Sequence, residues 1–314
     1  MMDSASDHWI DRQLPVGDEV FLDHVGYFVD DLEVAGRALE RLGFRVSPVN
    51  LQQNADAQGA LRPSGTSNRL AVLRRGFIEV LATTHDTPLA DQLKAALGRY
   101  RGIHLIALSH DDVPAQRERL VAAGFPMQPV VHLRRHKQTP EGVREVAWSV
   151  LRPEVGAMAE GRVQFVKCHT PELTWTDDAA LENGADGLTD LLLCVADRRE
   201  AALRFSRYIG RQPTQRTNVS AIALDRGRLL LVEPAEASAT LPRLRLPDVP
   251  CMLGLALRST DIAATRAALA RHQVVPLFVD EDLVCVSPAD ALGGYLLFHA
   301  AAVRDPWAAL AERR

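Results

Sequence analysis

The sequence predicts an α+β protein of four tandem βαβββ modules, paired into two curled mixed-sheet cups. Three observations predict it. An apolar strand running into an aspartate that opens a helix occurs four times, at residues 23–31, 103–111, 189–197 and 253–261. Short strand-forming runs follow each helix, turned by glycine-bearing tips such as Arg74-Arg75-Gly76 and Asp225-Arg226-Gly227. The repeat, at roughly 60–80 residues, is longer than a common solenoid unit and suits paired modules. One such module leaves an open sheet edge and a bare face, which a second module covers. A homodimer with swapped modules satisfies the same edges.

In order, a polar leader (1–20) precedes module one (21–84). Its strand and the helix 32–42, stopped at Gly43, are followed by a strand at 44–49 and a polar loop at 52–65. A hairpin of strands 66–73 and 77–82 ends it, and a helix over 87–100 leads on. Module two (101–171) repeats the plan with strand 103–109, helix 113–123, strands 127–133 and 144–151 around a charged tip, and a last strand 163–168. These two modules form an expected domain over 21–175, and an acidic linker closes it. Modules three (187–234) and four (251–299) form the second, 187–300. The connector 235–250 contains Pro242, Pro247 and Pro250, which disfavour a helix or central strand. The tail 301–314 reads as a short surface helix.

Composition narrows the function. With 24% charged residues, 47% hydrophobic residues and a formal net charge of −4, the chain has no nucleic-acid footprint. Its one basic run, Arg134-Arg135-His136-Lys137, has no interleaved aromatics for base stacking. No apolar run approaches the roughly 18 residues that span a bilayer, and residues 1–17 hold no apolar signal core. Cys168, Cys194, Cys251 and Cys285 form no CxxC pair and fit reduced thiols. A cytoplasmic protein with a small-molecule partner is expected, with neither nucleic acid nor membrane.

Aligning the modules on their helix-opening aspartates (31, 111, 197 and 261) puts His24, His104, Asp190 and Gly254 in register. The glycine opening each last strand gives a second register, Glu79, Gln164, Leu230 and Leu297. Glu79 is the one charged residue of an apolar strand, where a carboxylate is costly unless paired or bound to a cation. His24, Glu79, His104 and Gln164 together are an N/O donor set suited to Fe, Mn, Zn, Ni or Co as divalent ions. Thr66 and Asn68 share a strand face and line the same cup as substrate donors, or else simply start a hairpin. Glu79 alternatively pairs with Arg69 or Arg74 across its hairpin.

The runs Leu22–Leu32, Gly65–Leu70, Gly76–Leu81 and Gln164–Trp175 resemble the vicinal oxygen chelate superfamily, and within it glyoxalase-like domain proteins. The resemblance implies metal ligands on the first and last strands of paired modules, here His24, Glu79, His104 and Gln164, although glyoxalase I and the extradiol dioxygenases carry a carboxylate where Gln164 stands. It implies a metal-dependent isomerase, lyase or dioxygenase acting on a small vicinally oxygenated substrate, with Glu79 as ligand and catalytic base. The alternative within the superfamily is a metal-free binder of small molecules, akin to antibiotic-resistance proteins. The C-terminal half lacks the ligand pattern.

Overall fold

Four aspartates set the frame. Asp31, Asp112, Asp197 and Asp261 each accept backbone N–H groups of the helix they precede, satisfying donors that a helix start leaves orphaned. The computed structural model describes residues 9–55, 61–176 and 180–314. Module one comprises β1 (Phe21–Phe28), α1 (Leu32–Arg41), β2 (Asn50–Ala55), β3 (Leu61–Val72) and β4 (Phe77–Thr83), and α2 (Pro88–Arg99) follows it. Module two comprises β5 (Gly102–Ser109), α3 (Val113–Ala122), β6 (Val131–Thr139), β7 (Gly142–Leu151) and β8 (Arg162–Cys168), closed by the short α4 (Pro171–Thr174). Module three comprises β9 (Ala185–Cys194), α5 (Arg198–Ile209), β10 (Pro213–Gln215), β11 (Ser220–Ala223) and β12 (Arg228–Val232), with α6 (Pro234–Thr240) after it. Module four comprises β13 (Cys251–Ser259), α7 (Ile262–Arg271), β14 (Phe278–Val279), β15 (Leu283–Val286) and β16 (Tyr295–Ala300), and α8 (Pro306–Arg313) ends the chain's elements.

Within each module the first strand lies parallel to the last, giving β1–β4, β5–β8, β9–β12 and β13–β16. Between modules the first strands pair antiparallel, β1 with β5 and β9 with β13. Strand β2 reaches β6 where Asn54 stands opposite Leu133, so the strands of the first two modules curl around a common interior. A single register pair, Ile103 with Met252, links β5 to β13 and joins both halves in one mixed 16-stranded sheet. No helix among the described residues is long and apolar enough to cross a membrane.

Three elements differ from expectation. The strand expected at 44–49 is an extended connection whose one bridge is Val46 to Ala71; pairing starts at Asn50, beyond Pro48, which has no N–H to donate. The polar loop expected over 52–65 is largely strand in β2 and β3, with residues 56–60 lying outside the described set. The Pro-rich connector holds α6, tolerated because Pro234 occupies its first turn.

The tail is no surface appendage. Trp307 and Leu310 of α8 are buried in a core with Leu192, Leu230, Ala256 and Leu297, which fills the C-terminal cup. A Cβ on Gly254 would lie 2.8 Å from the Trp307 ring, so the glycine is what admits the indole. Asp190, in register with His24, accepts from Arg228 Nε at 2.6 Å. The N-terminal cup remains open.

Candidate functional site

Each first strand carries an extra, unpaired residue at a matched place, and β9 carries a second at Asp186. The register skips Asp23 in β1, His104 in β5, Thr189 in β9 and Leu253 in β13, and each stands eight residues before its capping aspartate. Such a bulge turns the strand locally and re-aims its side chains. The four positions after the bulge are therefore His24, Leu105, Asp190 and Gly254. The expected match of His104 to His24 came from aligning on Asp111, whereas the capping residue is Asp112; Asp111 instead accepts from Lys167 Nζ at 2.8 Å. A one-residue slip sends a strand side chain to the other face. The strand pairings agree, because Phe77 faces His24 as Arg162 faces Leu105. The second register, Glu79 with Gln164, Leu230 and Leu297, stands as expected.

The N-terminal cup is lined by His24, Asn68, Glu79, Trp148, Arg152 and Gln164 among others, and its open space, mouth included, is about 850 Å³. His24 is 5% exposed and its Nδ1 lies 2.7 Å from Asp23 Oδ1, a contact between sequence neighbours that the bulge permits. The carboxylate accepts, so Nδ1 carries a proton, and Nε2 is the nitrogen turned to the cup. Phe77 stacks on the imidazole at 4.2 Å and Trp148 meets it edge-on, which fixes the ring plane. Nε2 lies 3.8 Å from Glu79 Oε2.

Glu79, 6% exposed, is held through its other oxygen. Asn68 Nδ2 donates to Oε1 at 2.5 Å and Gln52 Nε2 at 3.4 Å, while Thr66 Oγ1 donates to Gln52 Oε1 at 2.6 Å. Asn68, which lines the cup, thus holds Glu79 directly, and Thr66 holds it through Gln52. Arg69 and Arg74 pair elsewhere, with Glu33 and Asp11. Gln164 Oε1 accepts from Arg152 Nε at 3.0 Å.

His104 lies outside this group. It lines an adjoining cavity beside α2, which shares Arg152 and Arg162 with the cup; it lies between the rings of Phe28 and Tyr100, and its Nε2 donates to the Tyr100 carbonyl at 2.9 Å. Burial pushes its imidazole down to about 4.

The expected four-donor metal set therefore does not assemble in the cup. Among the described residues no three His, Cys, Asp or Glu side chains converge. The donors facing the cup are His24 Nε2 and Glu79 Oε2; the Gln164 oxygen is taken by Arg152, and Arg152 and Arg162 place positive charge beside Glu79. Like charge at this range opposes a divalent cation. The residues present do not fit a resident metal.

Sequence reasoning missed Asp23, Gln52, Trp148, Arg152 and Arg162. Asp23 was legible as an acid beside a histidine in an apolar strand. Arg152 and Arg162 stand beside Pro153 and Gly161 and read as turn residues.

The model of a family described as a glyoxalase-like domain matches residues 22–209. No curated protein matches. Among solved structures, a hypothetical protein from Staphylococcus aureus superposes with a TM-score of 0.62 at 10% identity, over 90% of this chain and 99% of that one. A variant of 4-hydroxymandelate synthase from Streptomyces coelicolor gives 0.55 at 16%, over 93% and 96%. A Mn(II)-bound glyoxalase from Novosphingobium aromaticivorans gives 0.53 at 12%, over 90% and 82%. At these identities the likeness is one of fold.

Proposed function

The chain belongs to the glyoxalase-like domain family, and from that premise we propose that its N-terminal cup transfers protons on a small molecule bearing two adjacent oxygens. One observation carries the reading: two acid–base groups, His24 Nε2 and Glu79 Oε2, stand 3.8 Å apart in an open cavity. Each is braced by a hydrogen bond, His24 by Asp23 and Glu79 by Asn68 with Gln52. That spacing matches two groups serving neighbouring atoms of one substrate.

On a 2-hydroxy ketone the Glu79 carboxylate takes the proton of the hydroxyl-bearing carbon, leaving an enediolate. His24 Nε2 takes the hydroxyl proton from the first oxygen and gives it to the second. Glu79 then returns its proton to the other carbon. Carbonyl and hydroxyl have exchanged places, with no atom gained or lost. Asp23 keeps the imidazole in the required tautomer and steadies the transient imidazolium. The neighbouring guanidiniums of Arg152 and Arg162 offset the enediolate charge.

The metal-dependent form of this reading has an Fe, Mn, Zn, Ni or Co ion on His24, Glu79, His104 and Gln164. His24 and Glu79 are the donors it retains facing the cup, so no step here is routed through a metal. An extradiol-type dioxygenase needs two histidines and one carboxylate around iron, and His24 is the histidine lining this cup. The test is deuterium exchange followed by proton NMR, using acetoin, dihydroxyacetone, 2-hydroxyacetophenone and its 4-carboxylate in D2O. Wild type should exchange the carbon-bound proton of at least one, and Glu79→Gln and His24→Gln should lose that exchange. Binding without exchange in wild type would leave a metal-free carrier of small molecules.

A further inference from the structure

We propose that the molecule held in the N-terminal cup is an anion, a small carboxylate with an apolar body, gripped by Arg152 and Arg162. The inference rests on the cup being the ligand site and is independent of which chemistry follows there.

Charge balance in the cavity carries it. Four arginines line the cup, Arg134, Arg135, Arg152 and Arg162, the last two shared with the cavity beside α2 and within electrostatic range of Glu79, the cup's one carboxylate. Arg134 is exposed and spends its charge on Glu145 at 3.2 Å. The other three have neutral partners: Arg135 donates to Asn50 Oδ1 at 2.9 Å, Arg152 to Gln164 Oε1 at 3.0 Å, and Arg162 lies 5.4 Å over the Phe28 ring. Three guanidinium charges thus face one carboxylate in a partly enclosed space. Desolvated charge left without a counter-ion is costly, and a concave wall of one sign draws in the opposite one.

Burial, and then the like charge of Arg152, push the Arg162 guanidinium down to about 9, which still leaves it charged at neutral pH. Its planar fork suits the two oxygens of a carboxylate. The remaining wall gives the ligand's other end its character, because Leu81, Leu105, Leu133, Val150 and Trp148 offer an apolar surface. Glu79 in the same space disfavours a dianion such as phosphate. A monoanion with an apolar body satisfies both walls at once.

The experiment titrates wild-type protein with phenylacetate and with its neutral isostere phenylacetamide, following heat by calorimetry and tryptophan fluorescence, to which Trp148 in the cup contributes. The acetate and benzoate ions and inorganic phosphate serve as further probes. Phenylacetate should bind at least tenfold more tightly than phenylacetamide. Arg162→Gln should erase that preference while Arg162→Lys keeps part of it. Equal affinity for acid and amide, preference for phosphate, or no binding of any carboxylate by wild type overturns the proposal without needing a folded variant. Glu79→Gln separates this inference from the proton-transfer reading. It should tighten phenylacetate binding, since it removes the cup's opposing charge, while ending proton exchange. Tighter binding with exchange intact sinks the acid–base role alone, and weaker binding sinks the anion site alone.

Discussion

Asp23 and His24 are neighbours in sequence yet face one another, Oδ1 to Nδ1 at 2.7 Å, because β1 bulges at the aspartate. Both are buried, Asp23 completely. The pair supplies a backed imidazole from two consecutive residues of one strand.

Asp23→Asn tests that backing. An asparagine that donates to Nδ1 forces the proton onto Nε2 and blinds the base. We expect a fall in kcat/KM of about 100-fold or more with KM little changed. The double variant with His24→Gln should be hardly worse than His24→Gln alone, as for groups acting as a unit. Additive losses would sink the dyad.

Leu105 occupies the place that matches His24, so Leu105→His should bring a second imidazole to the cup. Elemental analysis of untagged protein after incubation with Zn(II) or Ni(II) should find well below one equivalent in wild type. The variant should gain up to one, lost again in Leu105→His combined with Glu79→Ala. One equivalent in wild type, removed by Glu79→Ala alone, would show that a metal site survives in the native cup.

The buried His104 makes stability fall with acid. Its imidazole takes a proton near pH 6.5 in the unfolded chain and near 4 in the folded one. Its stabilising contribution is therefore complete above pH 6.5 and declines as pH falls to about 4, a loss on the order of 3 kcal/mol. His110 and His299 are lowered by burial in the same sense. Urea midpoints between pH 7 and 4.5 should drop more steeply for wild type than for His104→Gln, whose amide still donates to the Tyr100 carbonyl. Parallel slopes would remove His104 from the account.

Trp307, 3% exposed, fills the C-terminal cup. Trp307→Ala should cost about 3–5 kcal/mol by urea denaturation. Gly254→Ala should destabilise in the same direction, because its methyl meets the ring and the Tyr295 backbone at 2.8 Å. Phenylacetate binding in the other cup should be unchanged by Trp307→Ala.

Much of this was legible in the chain. The capping aspartates at 31, 197 and 261 announce their modules because a cap leaves a local signature of acid, strand and helix. Glu79 is conspicuous as a charge in an apolar strand, and the glycine-based register placed it with Gln164 correctly. The bulge was not legible: one extra residue changes neither composition nor hydrophobicity. With two aspartates in a row at 111 and 112, nothing local says which one caps, and the choice moves His104 from one face to the other. The arginines escaped notice for a different reason, since their meaning comes from the carboxylates that are missing around them. Strand β2 was hidden by its polar sequence, Asn50-Leu51-Gln52-Gln53, whose Gln52 faces the cup.

The bulge repeated in all four first strands makes the backbone a constant and the side chains a variable. At the same pair of positions the chain carries Asp23 with His24, His104 with Leu105, Thr189 with Asp190, and Leu253 with Gly254. One geometry thus yields a backed imidazole, a histidine wedged between two rings, a carboxylate bound by an arginine, and a gap for a tryptophan. In a repeated module of this kind the local role differs with two adjacent side chains while the strand geometry stays the same.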